Sequence, residues 1–383
     1  MSEHDLYPVL GSELAFFNHA GVSPLPTPVA NAVRDYAAQA ERSGYFGSTW
    51  QDDTADFRAA TAELLNARGP HEIAFVPNTA TGVSMAAGSI EWSPGDRILV
   101  TDAEYPSNRH FYNALQDRGI ELDVVVQQPD GRIPTEDIIS AVTERTRLIG
   151  ISHVQWGSGF RSSLRPLADA IHAVGGLISV DAIQSLGALP LDVQADDIDF
   201  VAAGGHKWLL GPTGSGLLYI REELIGELIP PLLGANSMAE GLADGNEVIN
   251  LSPDASRFEP GATPTATLLG LRASIRHLLD IGIDRVWERL EGVTASLCAQ
   301  LEDAGCNVFS PRGSSERSGI VIFDLPPELA ERETLEETWE RLQGSGIITA
   351  VRFERLRASP HFYTPERDIE RLVAALRPDA PDG

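Results

Sequence analysis

Between residues 70 and 220, short uninterrupted apolar runs alternate with stretches where apolar residues recur every three or four positions. The first kind reads as buried strand, the second as amphipathic helix. Strands are predicted at 73–76, 97–101, 124–126, 148–154, 177–180, 198–203 and 217–220, with helices over 54–68, 79–90, 135–143 and 163–174. Upstream, an apolar pair at Phe16 and Phe17 runs into a proline-punctuated loop. Val29, Val33 and Tyr36 then fall at helical spacing. Such alternation predicts an α/β fold with a mostly parallel sheet, covered on both faces through right-handed crossovers. Beyond residue 265 the pattern changes. Two long helices (266–280, 284–302) precede a strand at 319–325, a helix at 331–343, a strand at 347–352 and a closing helix at 365–376. That order implies a smaller α+β unit. Residues 234–256 are polar, small and loop-like, the nearest thing to a boundary. The expected division is 16–260 as a large domain, with 1–15 and 261–383 as a small one.

Charge and cysteine content narrow the partners. With 383 residues, 55 acidic and 29 basic side chains, the net charge is −26. That balance argues against nucleic acid or an anionic membrane surface as a partner. Cys298 and Cys306 fit neither a redox pair nor a zinc site, so no metal is expected. No apolar run reaches membrane-spanning length and no leader pattern opens the chain, so a cytoplasmic protein is expected.

The chemistry concentrates between residues 177 and 220. One apolar run ends on Asp181, and a second delivers Gly204-Gly205-His206-Lys207-Trp208 before a glycine-rich turn. An acidic residue at the end of a buried strand sits where open α/β sheets present ligands. Pyridoxal phosphate needs a lysine for its Schiff base and an anion beside its pyridine nitrogen, so that the ring acts as an electron sink. Asp181 and Lys207 supply that pair if two strands bring them to one sheet edge.

The segments SVDAIQSLGALPLDV and DFVAAGGHKWLLGPTGSGLLY resemble the class V aminotransferases of fold type I, a group that includes cysteine desulfurases and isopenicillin N epimerase-like proteins. The likeness runs from about Phe17 to the last helix. It implies a pyridoxal-phosphate enzyme, a homodimer, acting on an amino acid or related amine. Lys207 becomes the cofactor-bearing catalytic lysine, and Asp181 the partner of the pyridine nitrogen. His206 lies beside the cofactor, and Gln184 is the best candidate for its phenolate oxygen. Thr79 and Ala80 open a helix whose start would hold the phosphate, since free N–H groups and the positive dipole end favour an anion there. Tyr105 matches the residue that stacks on the ring. Arg357 matches the arginine that forks onto the substrate carboxylate, with Arg352 and Arg355 as close competitors. Asn18 and His19 fit either a capped helix entry or a substrate contact. The segment 257–265 would cross to the partner subunit, where Thr263 stands in for a threonine that this chain replaces with Ala262.

Three departures bear on the reaction. Trp156 stands where desulfurases have an asparagine, and Gly204 where the family often has serine. Between Arg352 and Arg357 there is neither a loop nor a cysteine, so the thiol of a persulfide route is missing. Epimerisation, β-elimination as a C–S lyase, and transamination need only Lys207 as base, and the sequence does not separate them. A degenerate member that binds cofactor or a partner without turnover is the alternative.

Overall fold

The computed structural model describes residues 3–44, 46–239 and 249–377. Its centre is a seven-stranded sheet in the order β2-β8-β7-β6-β5-β3-β4. The strands are β2 (Ile73–Phe75), β3 (Arg97–Thr101), β4 (Glu121–Val125), β5 (Thr146–Ser152), β6 (Leu177–Asp181), β7 (Phe200–Gly204) and β8 (Gly216–Ile220). Strands β3 to β7 pair in parallel, while β8 runs antiparallel to both β7 and β2. The sheet is therefore mostly parallel, as the apolar runs imply.

Alternation along each strand sorts its side chains between two cores. Leu99, Val201, Ala203, Leu217 and Tyr219 enter one. Their neighbours Ile98, Val100, Phe200, Ala202, Leu218 and Ile220 enter the other. The second core is closed by α4 (Thr79–Ser89) and α5 (Pro106–Leu115), with the short α8 (Glu222–Ile225) at its edge. The first is closed by α3 (Trp50–Leu65), α7 (Arg165–His172), α6 (Thr135–Ala141) and α9 (Thr265–Ile281). Helix α9 also packs on α2 (Thr27–Ser43). The one-turn α1 (Glu3–Leu6) precedes all of these.

A third core fills a smaller body: β9 (Asn307–Val308), β10 (Val321–Asp324), β12 (Ala350–Arg352) and β13 (Arg355–Ala358) in the order β12-β13-β10-β9. Helices α10 (Ile283–Asp303), α11 (Pro327–Ala330), α12 (Leu335–Gly344) and α13 (Glu366–Ala375) cover it with Leu297, Leu301, Leu329, Leu342, Ile369 and Leu372. Strand β1 (Ala15–Phe16) joins this body through parallel pairing with β11 (Ile347–Ile348).

Several predicted elements shift. The run at 347–352 is not one strand. It splits at Thr349 into β11 and β12, which belong to different sheets. The helix expected at 331–343 begins only at Leu335, because Thr334 and Glu337 form a reciprocal capping box there. Helix α3 starts four residues early and stops at Asn66, whose φ of 50° is left-handed. Of the expected boundary stretch, residues 240–248 lie outside the described residues, as does Tyr45. No helix among the described residues is long and apolar enough to cross a membrane.

Candidate active site

The chain runs outward from β3 to β4 and then returns to β5, so the strand order reverses between β3 and β5. Open α/β sheets present their ligand crevice at such a point, beyond the carboxyl ends of the strands. A cavity of about 390 Å³ opens there, within the size range of small-molecule sites. Its wall includes Lys207, Asp181, Tyr105, Arg357 and the start of α4.

Asp181 closes β6 and is 4% exposed. Its Oδ1 accepts from the backbone N–H of Ile183 at 2.9 Å and its Oδ2 from Asn108 Nδ2 at 2.6 Å. Burial pushes its carboxyl pKa upward, against the pull of these two donors and of Lys207. Any cation arriving beside it therefore meets a fixed, desolvated acceptor. Lys207 follows β7, and its carbonyl is held by Ser23 Oγ at 2.7 Å and by Leu210 N–H at 2.9 Å. Burial lowers the amine from the usual lysine value to about 8; Asp181 opposes that fall, and Arg357 and Arg352 add to it. The ammonium lies 5.6 Å from the centre of the Tyr105 ring. Tyr105 meets Trp156 edge to face at 5.4 Å. Lys207 is also the only lysine in the 383-residue sequence. Every other basic side chain apart from histidine is an arginine.

Asn78 caps α4, accepting from Thr81 N–H at 2.9 Å. The first N–H groups of that helix, at Thr79 and Ala80, have no partner inside it by geometry. The Thr79 hydroxyl accepts from Gly204 N–H at 2.9 Å and so ties the helix start to the end of β7. Gly82 lets the helix come this close, since a Cβ there would meet Ala202 Cβ at 2.8 Å. Gly204, where a serine was the expectation, is hemmed in as well. A Cβ would sit 3.2 Å from the His206 ring and from Ile183. His206 lines the cavity, its pKa lowered by burial and then by Lys207. Gln184 also lines it, donating to Ala20 O at 3.2 Å and accepting from Trp208 Nε1 at 2.9 Å.

Arg357 is 1% exposed. Its hydrogen bonds go to the Trp156 carbonyl and to Asn18 Oδ1, both at 3.3 Å, and its Nε has no partner. Burial drops its pKa to about 9, with Arg352 adding to the fall. Of the two competitors, Arg352 shares the cavity. Arg355 does not: it pairs with Asp324 at 2.8 Å and lies 4.1 Å over the Phe309 ring.

Three candidates fall outside the cavity wall: Asn18, which reaches it only through its bond to Arg357, His19 and Thr263. His19 is fully buried, with Nδ1 donating to Ser359 O at 2.9 Å and Nε2 accepting from Tyr363 at 2.8 Å. Burial lowers its pKa to about 4, so it is a neutral strut between chain ends. Thr263 lies in a separate hollow with Trp50, Arg58 and Asn236. Its segment is pinned by Arg257 on the Ser252 and Leu228 carbonyls and by Glu259 on Arg58. Sequence reasoning missed two supports. Asn108 orients Asp181, and the buried Glu104 accepts from Thr101, Ser152 and Gln155, binding the ends of β3 and β5 together. Among the described residues no cluster suits a metal ion.

A buried amine of lowered pKa, a desolvated carboxylate, a helix start and an unpaired guanidinium in one cavity fit pyridoxal phosphate and an amino acid together. Comparisons with known proteins agree. A probable cysteine desulfurase of Methanothermobacter thermautotrophicus is 30% identical over 94% of this chain and 93% of its own. A solved structure of a cystine C–S lyase with its product cysteine persulfide superposes with a TM-score of 0.86 at 26% identity, covering 98% of this chain and 100% of that one. Another, a lyase variant with glycine covalently linked to its pyridoxal phosphate, gives 0.87 at 25% identity over the whole of both chains. The family model described as aminotransferase class V matches residues 15–372. This chain belongs to the class V aminotransferases, pyridoxal-phosphate enzymes of α/β fold.

Proposed function

We propose that this enzyme eliminates a β-substituent from an α-amino acid, in the manner of a C–S lyase, using Lys207 as the base. The observation that carries this reading is the position of the chain's single lysine: its side chain enclosed enough to lower its pKa to about 8, and in one cavity with Asp181 and Arg357. Pyridoxal phosphate held there supplies an electron sink for the negative charge that develops at Cα.

In this reading Asp181 faces the pyridine nitrogen, and Asn108 keeps its carboxylate aimed. Tyr105 covers the ring, while Gln184 offers its amide to the phenolate oxygen. Backbone N–H groups of Thr79 and Ala80, with His206 beside them, receive the phosphate. Arg357, steadied by Asn18, grips the α-carboxylate through two parallel N–H groups. Lys207 Nζ takes the proton from Cα. The electron pair left behind expels the leaving group from Cβ, which departs with its own pair. No protein thiol takes part. Cys298 and Cys306 are buried in the small body, and burial raises both thiols, Cys306 to about 12. The likeness to a cystine C–S lyase supports elimination over the two other reactions that Lys207 alone could serve. Thr263 is assigned to the cavity of a second copy of the chain, in a homodimer.

The test is a panel of cysteine, cystine and serine derivatives with pyruvate as readout. Elimination yields pyruvate and ammonia, and the Cys298→Ala, Cys306→Ala double variant should match the parent. Racemised substrate or a keto acid retaining its β-substituent, with no pyruvate, would replace elimination with epimerisation or transamination.

A further inference from the structure

Two guanidiniums face the Lys207 cavity, and neither has a carboxylate to pair with among the described residues. Arg357 bonds only a carbonyl and a neutral amide oxygen. Half-buried Arg352 bonds only its neighbour's carbonyl, Val351 O, at 2.6 Å, and lies 5.8 Å from the Trp156 ring centre. Its buried Nε is unpartnered, like that of Arg357. The third arginine of the same hairpin, Arg355, is by contrast paired with Asp324. Leaving a desolvated cation and a half-buried one beside it unpaired is costly, and structures retain such groups where an anion is to arrive.

Charge balance shows how many anions. The cavity wall carries Lys207, Arg352 and Arg357 against Asp181 alone. In the reading above, Asp181 answers the pyridine nitrogen, the helix start answers the phosphate, and a substrate α-carboxylate answers Arg357. Arg352 is left over. In the β12–β13 register Ala350 faces Arg357, so Arg352 sits diagonally across from it, about 7–8 Å away between Cα atoms. Two flexible arms on that base can grip the ends of a short diacid.

Resting on that reading, we propose that the substrate carries a second carboxylate on its side chain, held by Arg352 while Arg357 holds the α-carboxylate. A neutral side chain would leave the Arg352 charge without a counterion in a partly dry site.

Amine-free probes separate anion recognition from turnover. Calorimetric titration of the cofactor-loaded protein at fixed ionic strength compares succinate with propionate. Succinate should bind about tenfold tighter or more, the gain of a second charge-assisted contact worth ~1.4 kcal/mol. Arg352→Gln should bring the ratio near one, and Arg352→Lys, which keeps the charge but loses the fork, should retain part of it. Equal affinities in the parent, or a ratio that survives Arg352→Gln, would overturn the proposal. In the same preparation the cofactor absorbance band is followed on adding L-aspartate and L-alanine. A band moved equally well by both sinks the diacid assignment and leaves the elimination reading standing. A band moved by neither of these, but by cysteine or cystine, sinks the diacid assignment alone, and a band moved by no amino acid sinks both.

Discussion

Lys207 shows how much one residue's surroundings decide. Its amine falls to about 8 mainly because burial penalises the ammonium. A lysine lowered in this way is neutral, and so nucleophilic, from lower pH. The rate at which cofactor-free protein takes up pyridoxal phosphate should therefore climb through pH 8 and level off above it. Stopped-flow absorbance would show this; a rate still rising toward the ordinary lysine value near 10.5 would mean the amine is not desolvated. Asp181→Asn should leave the fold standing, since the amide keeps the size of the carboxyl and its oxygen still accepts from Ile183 N–H, although its nitrogen no longer accepts from Asn108. Turnover should fall on the order of 10²–10³-fold, the usual scale for removing a preorganised charge from a site; circular dichroism and steady-state rates together check this. Asp181, Lys207, Tyr105 and Arg357 were legible in the sequence because each follows an apolar strand or sits in a recognisable string. Asn108 and Glu104 were not, because their partners lie 73 and 48 residues away. The single lysine was open to a simple count, yet reading by segments passes over it. His19, read as either a helix entry or a substrate contact, is instead held by Ser359 and Tyr363, partners 340 and 344 residues away.

At the scale of elements, the β12–β13 turn lies where the likeness to desulfurases implies a cysteine-bearing loop. Arg352 pairs with Arg355, so only Phe353 and Glu354 form the connection. Both have positive φ, 49° and 58°, as a primed two-residue turn requires. Neither is a residue type that adopts this easily. Phe353 has a counterweight in its contact with Trp156, ring centres 5.0 Å apart. Gly157 makes room for it, since a Cβ there would lie 2.2 Å from the Phe353 ring. Exposed Glu354 has no such contact, so Glu354→Gly should raise stability by about 1 kcal/mol, roughly one degree in Tm by calorimetry. An unchanged or lower Tm would show that the turn is not strained there. Six of the seven large-sheet strands were legible as apolar runs, whereas β4 was caught only at its end, because Glu121 and Asp123 interrupt it. Their order was not, because the insertion of antiparallel β8 between β2 and β7 leaves no local mark. The split of 347–352 was hidden for a related reason: both halves are apolar, and only pairing tells them apart.

For the whole molecule, charge dominates. A net charge of −26, with the only lysine in the cavity wall, leaves arginines to balance most of the 55 acidic side chains. Several do so in clusters, such as Arg272 and Arg276 on Asp56. The excess repels itself in the compact state, and added salt screens it. Thermal midpoints should therefore rise steadily with KCl. The proposed homodimer should likewise sediment as a dimer in that series, dissociating first at low salt. A midpoint indifferent to salt, or a monomer that retains cofactor, would contradict these expectations. The change of pattern near residue 265 was legible, but the packing of α9 against α2 and α3, which puts this helix in the core of the large sheet and not with the expected small unit, was not.

The central claim is that Lys207 carries the cofactor. Because the sequence holds no other lysine, the most direct measurement is the mass of the cofactor-loaded protein after borohydride reduction, followed by peptide mapping. The account predicts one pyridoxyl-phosphate adduct per chain, on the peptide containing Lys207, and none in Lys207→Ala. An adduct on the N-terminal amine that persists in Lys207→Ala, or a parent protein that takes no adduct at all, would contradict it.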